Sequence, residues 1–106
     1  MTSADDAADV DAVTVANAPE RRRYELRLEG AVIGFATYRL VGRRVVFIHT
    51  EVDDAYSGQG LAARLAKFAL DDVRAAGKRI VPVCPYIADY LRTHHEYDDI
   101  VDKPNG

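Results

Sequence analysis

His49 and Glu51, two side chains capable of acid–base chemistry, lie two positions apart in the apolar segment VVFIHTEV. If this segment is a β-strand, alternation puts both on one face, together with Val45 and Phe47. Imidazole and carboxylate groups can take a proton from an incoming ammonium group, directly or through water. The pair is therefore a candidate general base. The alternative, equally open from the sequence, is a hydrogen-bonded core histidine beside a solvent-exposed carboxylate.

Cys84 is the only cysteine of the chain and directly follows the apolar segment RIVPV. A thiol can act as a general acid or base, or as a nucleophile where its surroundings favour the thiolate. Buried thiols are also commonly inert. A single cysteine excludes an intramolecular disulfide and any zinc site that needs several thiolates.

The segment DDAYSGQGLA contains two glycines, Gly58 and Gly60, immediately before a helical pattern. Free N–H groups at a helix N-terminus favour an anion such as a pyrophosphate. Two glycines alone are a weak signal, because most such loops are simply turns. The motif GxxxxGK[ST] is absent, and Ala63 occupies the position of the third glycine in GxGxxG. A site for ATP or NAD is therefore disfavoured.

Four apolar segments predict strands, and two amphipathic segments predict helices. The strands are expected at residues 24–29, 31–40, 45–52 and 79–85, and the helices at 60–76 and 86–94. The first three strands should form an antiparallel meander, and the third strand, first helix and last strand a right-handed βαβ unit. Apolar residues on both faces of 31–40 predict a strand covered on both sides.

Pro82 lies inside the last predicted strand and cannot donate a backbone hydrogen bond. Either this is an edge strand, or it diverges from its neighbour and opens a crevice between the third and fourth strands. The sequence leaves both alternatives open.

The length of 106 residues, 48% of them apolar, fits one compact domain. Residues 1–19 contain four acids and no base, which leaves 13 acidic against 14 basic side chains in the rest of the chain. We therefore predict a flexible acidic arm over residues 1–20 and a folded domain over 21–106. The near-neutral domain predicts no nucleic-acid partner.

The apolar segments are all far shorter than the ~20 residues that a membrane span needs. The acidic N-terminus differs from the basic and then apolar start of a signal peptide. We expect a cytoplasmic protein without a membrane partner, either a monomer or a weak homodimer.

Two longer segments, HTEVDDAYSGQGLAARL and VPVCPYIADYLRTHHEYDDIV, closely resemble the small GNAT-like N-acetyltransferases of the YjdJ-type domain group. The resemblance covers about residues 23–102, with the segments in matching order. It implies an abbreviated GNAT fold of α/β (α+β) class: a three-stranded antiparallel meander, then a βαβ unit with a splayed parallel pair and a short C-terminal helix. It also implies that the glycine loop binds the pyrophosphate of acetyl-CoA and that the splay admits the pantetheine arm.

The superfamily signature Q/R-x-x-G-x-G/A places its glycine at Gly60 and its last residue at Ala62. Its leading Gln or Arg falls on Ser57, a departure that removes charge and reach. The cofactor-binding residues implied by the resemblance are Val52, Ser57, Gly58, Gln59, Gly60, Leu61 and Ala62.

The resemblance also implies that Cys84 lies near the cofactor thiol. In the wider superfamily a tyrosine of the second helix often protonates the leaving CoA thiolate, and Tyr90 is the candidate here, with ordinary packing as the alternative. The adjacent His94 and His95 point apart on a helix, so we predict no metal site. HHEYDDIV is expected to pack the C-terminal segment against the domain.

These observations predict an acetyl-CoA-dependent N-acetyltransferase in which an amine attacks the thioester directly, with Cys84, Glu51, His49 and Tyr90 as candidate catalytic residues. The acceptor, a small amine or a protein or peptide amine, is not specified by any motif. The alternative is a module that binds CoA or acyl-CoA without significant turnover, because Ser57 replaces the usual Gln or Arg and a short chain offers little surface for an acceptor. A third hypothesis is a scaffold without a cofactor.

Overall fold

The computed structural model describes residues 12–104, which form a five-stranded sheet and two α-helices. The strands are β1 (Thr14–Ala18), β2 (Arg23–Leu28), β3 (Ala31–Val41), β4 (Arg44–Val52) and β5 (Arg79–Pro82). The helices are α1 (Leu61–Ala75) and α2 (Pro85–Arg92), and short 3₁₀ turns cover Pro19–Arg21, Asp54–Tyr56 and His95–Ile100. Neither helix is long and apolar enough to cross a membrane.

The sheet has the order β1-β2-β3-β4-β5, so each strand lies beside its neighbour in the sequence. The first four strands are antiparallel, whereas β4 and β5, joined through α1, are parallel. Both helices pack against one face of the sheet and share a single hydrophobic core with it. The predicted α/β class, with a meander followed by a βαβ unit, is confirmed.

The periodicity of α1 explains how it covers the sheet. Leu61, Leu65, Ala69 and Val73 recur every four residues and are all buried, so they form one apolar stripe along the helix. This stripe belongs to the same core cluster as Phe47 of β4. The Phe47 side chain is fully buried.

Strand β1 corrects the predicted domain boundary. Residues 14–20 were expected to belong to a flexible arm, but Thr14–Ala18 pair with β2 along their whole length. Val13 and Ala18 are buried. Backbone pairing orders this segment despite its small side chains, and composition does not reveal such pairing. Residues 1–11, the rest of the predicted arm, lie outside the described residues.

The second face of the sheet carries no helix within residues 12–104. Glu25 is buried there among three arginines, at 2.7 Å from Arg23, 2.8 Å from Arg27 and 3.5 Å from Arg21. The Arg23 guanidinium also lies 4.7 Å from the ring centroid of Phe35. The expectation that the strand at 31–40 is covered by other elements on both sides is therefore wrong, because arginine side chains cover the polar and aromatic groups of this face.

The pKa of Glu25 shows which effect prevails in that cluster. Burial, the largest single influence, raises the pKa, but hydrogen bonds and charge attraction from Arg23 and Arg27 together lower it below its ordinary value. The carboxylate therefore remains ionised although it is buried.

Adjacent aspartates of α1 fix two buried tyrosines. The Tyr24 hydroxyl donates to Asp72 at 2.7 Å, and the Tyr97 hydroxyl donates to Asp71 at 2.5 Å. Burial, followed by the hydrogen bond to the carboxylate, raises the pKa of both tyrosines well above its ordinary value. Asp72 lies inside the apolar stripe of α1 because it accepts the hydroxyl of a residue in β2.

The C-terminal segment packs against the domain as predicted. Tyr97 is buried, and Val101 forms a parallel bridge with Ile80 at the outer edge of β5. Asp102 accepts two hydrogen bonds from Arg79, at 2.9 and 3.0 Å. The last strand of the sheet is thereby bonded on both sides.

We predict that Asp72→Ala lowers the free energy of unfolding by about 1–3 kcal/mol, because it leaves the buried Tyr24 hydroxyl without its acceptor. Asp72→Asn is the matched control, since its amide oxygen still accepts, and should lose less than half as much. Urea titration followed by circular dichroism measures both. Equal losses for the two variants would contradict the role assigned to the hydroxyl.

Candidate active site

The parallel strands β4 and β5 separate after four residue pairs. Their pairing runs from Arg44–Arg79 to Phe47–Pro82, and the Cys84 N–H then donates to the Phe47 carbonyl at 2.7 Å. Helix α2 begins at the next residue, whereas β4 continues to Val52. Pro82, which has no N–H, is the last paired residue of β5, and the next backbone bond to β4 comes from Cys84. Residues 48–52 of β4 therefore have no β5 partner, and we refer to this unpaired side of the strand as the crevice.

Strand β4 carries one extra residue opposite β3 at the start of this crevice. Tyr38 pairs with Phe47, and Thr37 pairs with His49, so Ile48 forms a β-bulge. Ahead of the bulge, Phe47 faces the helices and is fully buried. An extra residue reverses the alternation that follows it.

The reversal puts His49 and Glu51 on the helix-free face, not on the face of Phe47. The two side chains do share a face, as predicted, with His49 Nε2 3.1 Å from Glu51 Oε1. They are 58% and 57% exposed, so a core histidine is also excluded. The His49 ring lies 6.3 Å from the ring of Phe35. The face assignment was wrong because the sequence pattern does not show the bulge.

A pocket of about 530 Å³ opens on this face. Its lining includes Glu51, Phe35, Val52, Asp53 and Asp54. Val52, predicted to contact the cofactor through its backbone, ends β4 and also packs against the core. The pocket therefore lies where Glu51, an aromatic ring and the end of β4 meet, and Arg23 lines it as well.

Cys84 lies on the helix side of the crevice and is only 2% exposed. It is the N-cap residue of α2, and its Sγ lies 3.3 Å from Thr50 Oγ1. The structure thus places Cys84 where β4 and β5 separate. Thr50 was not predicted, because uninterrupted alternation from Phe47 would turn its side chain away from the helices; only the bulge brings it to Cys84.

The glycine loop has an ordered local structure. Asp53 accepts the Ala55 N–H at 3.1 Å, and the Ser57 hydroxyl donates to the Asp54 carbonyl at 3.0 Å. Gly58 and Gly60 both have positive φ angles, 77° and 76°, and a Cβ at either position would meet no atom within 4 Å. Glycine suits both positions because their backbone is left-handed, and the absence of side chains leaves open space beside the loop.

The N-terminus of α1 follows directly from Gly60, its N-cap residue. The Arg64 N–H is the donor that bonds to the Gly60 carbonyl, so the N–H groups of Leu61, Ala62 and Ala63 precede the first intrahelical bond. Gln59 and Gly60 are exposed, whereas the Leu61 side chain is buried. Backbone donors and the positive end of the helix dipole thus border the open space of the loop.

Tyr90, the predicted proton donor, lies in α2 with its ring packed in the fold. It is 9% exposed, and its ring stacks on His94 at 3.7 Å between centroids. Burial first, and then the charge of Glu96, raises the pKa of Tyr90. It follows Cys84 by six residues, about 9 Å along a helix axis, so the structure does not bring the two side chains together at the crevice.

The two histidines after α2 have other partners. His94 Nδ1 lies 2.7 Å from the Tyr90 carbonyl oxygen, and His95 Nδ1 lies 3.1 Å from the Asp98 carboxylate. Within residues 12–104 there is no cluster of three or more His, Cys, Asp or Glu side chains that could hold a metal ion.

Comparisons with known proteins converge on one family. The profile described as GCN5-related N-acetyl-transferase matches residues 23–100. The chain is 42% identical to the protein NATD1 of Mus musculus over 78 residues, which are 69% of this chain and 68% of that protein. With NATD1 of Homo sapiens it shares 43% identity over 77 residues, 68% of this chain and 66% of the human protein.

Solved structures show the same fold. A GCN5-like protein from Staphylococcus aureus superposes with a TM-score of 0.67 at 21% identity, over 87% of this chain and 90% of that one. The ribosomal-protein-S18-alanine N-acetyltransferase of Escherichia coli superposes with a TM-score of 0.52 at 19% identity, over 76% and 61%. At these identities the likeness concerns the fold alone.

The burial of Cys84 predicts slow reaction with a thiol reagent. In the native protein the thiol should react with Ellman's reagent at least about 100-fold more slowly than in concentrated urea, because the native core must open first. Since the chain has one cysteine, the absorbance change reports on this thiol alone. Equal rates in the two conditions would contradict the burial described here.

Proposed function

The chain belongs to the GCN5-related N-acetyltransferase family, and from that premise we propose that it transfers the acetyl group of acetyl-CoA to an amine by direct attack in a ternary complex. The observation that carries the proposal is the combination of two features of one strand. The end of β4 leads into the glycine loop and the N-terminus of α1, and the same strand borders the crevice.

The loop suits the diphosphate of the coenzyme. The open space above Gly58 and Gly60 allows a phosphate to approach the backbone, and the first N–H groups of α1 supply donors. The coenzyme arm would then follow the part of β4 that β5 leaves unpaired, residues 48–52. We expect the donor substrate on the helix side of the sheet and its thioester beside Cys84.

The acceptor would approach from the helix-free face. Glu51, Asp53 and Asp54 line the pocket there, against the cation Arg23, which already covers the ring of Phe35. The excess of carboxylates favours a cationic amine. Glu51, with His49 at 3.1 Å, would take a proton from the ammonium group. In this arrangement the two substrates would meet beside residues 48–52 of β4, on the side that β5 leaves unpaired.

In the proposed reaction Glu51 and Cys84, which lie on opposite faces of the sheet, each transfer a proton. Glu51 takes one proton from the ammonium group and passes it to solvent, and the free amine attacks the thioester carbon. The carbon–sulfur bond breaks, with its electron pair left on sulfur, and Cys84 gives that sulfur a proton. The Cys84 thiolate then recovers a proton from the protonated amide nitrogen. Tyr90 is the less favourable proton donor because it lies further along α2.

A binding module without significant turnover is the second candidate, and one observation favours it. Ser57 occupies the position of the usual Gln or Arg, and its hydroxyl already donates to the Asp54 carbonyl. That hydroxyl must rotate before it can donate to a phosphate. Weak coenzyme binding, or binding without transfer, would follow from this loss.

Gly60→Asp and Gly60→Asn test the loop. Both residues tolerate the left-handed backbone at this position, so the pair differs mainly in charge. We expect Asp to weaken CoA binding at least about tenfold more than Asn, because a carboxylate would repel the phosphates at the helix N-terminus. Titration calorimetry measures both. Equal affinities would exclude the loop as the diphosphate site, and no binding by the natural protein at millimolar CoA would exclude the proposed function.

Glu51→Gln tests the base. The variant should lower kcat for a polyamine or lysine-peptide acceptor by about 100-fold and change the shape of the pH–rate profile, because the amide cannot accept the proton. A coupled assay for released CoA measures the rate. Glu20→Gln, an exposed acid in the turn before β2, is the control and should stay within about twofold.

Two results would redirect this proposal. An unchanged pH–rate profile for Glu51→Gln would remove Glu51 as the base. An acetyl group found on Cys84 by mass spectrometry of the quenched enzyme would replace direct attack with a covalent route. Turnover by the natural protein would reject the binding-module alternative.

A further inference from the structure

We propose that Thr50 is a positioning residue that holds the Cys84 thiol for proton transfer, an inference that rests on the proposed function. Thr50 Oγ1 lies 3.3 Å from Cys84 Sγ, within hydrogen-bonding distance for sulfur, and either atom can be the donor. Cys84 is 2% exposed, so water has little access to its sulfur. The hydroxyl is the polar side-chain group that the structure places beside the thiol.

Cys84 is held at two points by a single strand. Its backbone N–H bonds to Phe47, just before the bulge, and its sulfur contacts Thr50, just after it. The bulge at Ile48 therefore sets the distance between the two holding groups. A straight strand would keep the backbone bond but turn the Thr50 hydroxyl to the other face.

A threonine suits both protonation states of the thiol. While Cys84 is a thiol, the hydroxyl oxygen can accept the S–H hydrogen bond and fix its direction. After the proton has passed to the leaving sulfur, the same hydroxyl can rotate and donate to the thiolate. A buried thiolate without a donor would be strongly disfavoured. Thr50 itself neither gains nor loses a proton in this cycle.

Thr50→Val removes the hydroxyl and keeps the branched shape of the side chain. We expect kcat for acetyl transfer to fall about tenfold while KM for acetyl-CoA stays within about twofold, because the defect lies in proton transfer and not in binding. Thr50→Ser, which restores the hydroxyl, should recover most of the rate. Thr14→Val, at an exposed position of β1, is the control for a threonine-to-valine change.

A double-mutant cycle with Cys84→Ala separates positioning from general damage. If Thr50 acts through the thiol, Thr50→Val should lower kcat no further once Cys84 is alanine. A full additional loss in that background would overturn the proposal. So would an unchanged kcat in Thr50→Val, or a Thr50→Ser variant as slow as Thr50→Val although folded by circular dichroism.

Failure of the proposed function gives a different result. In that case the natural protein shows no acetyl transfer to any acceptor of the panel, whatever residue stands at position 50. Transfer by the natural protein that does not respond to Thr50→Val leaves the function intact and removes only the role of Thr50.

Discussion

One extra residue in β4 determines the arrangement of the whole candidate site. Ile48 has no partner of its own on β3, so the strand presents Phe47 to the helices before it and Thr50 to the helices after it. The same reversal sends His49 and Glu51 to the helix-free face. Without it, all the acid–base groups of β4 would lie on the side of the core. Separation of a buried thiol from an exposed carboxylate pair is thus a property of backbone register.

The sequence predicted the fold well wherever apolar residues recur with a single period, that of a helix or that of a strand. The apolar spacing of α1 and the alternation of Tyr24 and Leu26 in β2 each correspond to the face that packs into the core, and both elements lie within a few residues of their predicted bounds. The prediction of a flexible N-terminal arm failed at residues 14–18, because these residues are ordered by backbone pairing with another strand. Strand β1 has small and polar side chains, and it is fixed by its ladder to β2 and by the burial of Val13 and Ala18. The amino-acid composition of this segment does not predict that ladder.

The candidate site was predictable in its residue types and less so in its geometry. The glycines of the loop, the thiol and the imidazole–carboxylate pair were all recognisable, because each has a characteristic chemistry. Their faces were not, since a bulge adds one residue without changing composition or hydrophobicity. Thr50 and Asp72 illustrate the same limit: each is an ordinary polar residue in the sequence and gains importance only from a partner far along the chain, Cys84 or Tyr24.

The two outer strands of the sheet differ in how their backbones are protected. On β5, the bridge between Ile80 and Val101 and the ion pair of Arg79 with Asp102 close the edge. Within residues 12–104, β1 pairs with β2 alone and has no strand on its outer side. The unpaired backbone groups of an edge strand can bond to strands of other molecules, which leads to aggregation. Fusion partners attached at the C-terminus must therefore spare Val101 and Asp102, because these two residues keep the edge of β5 closed.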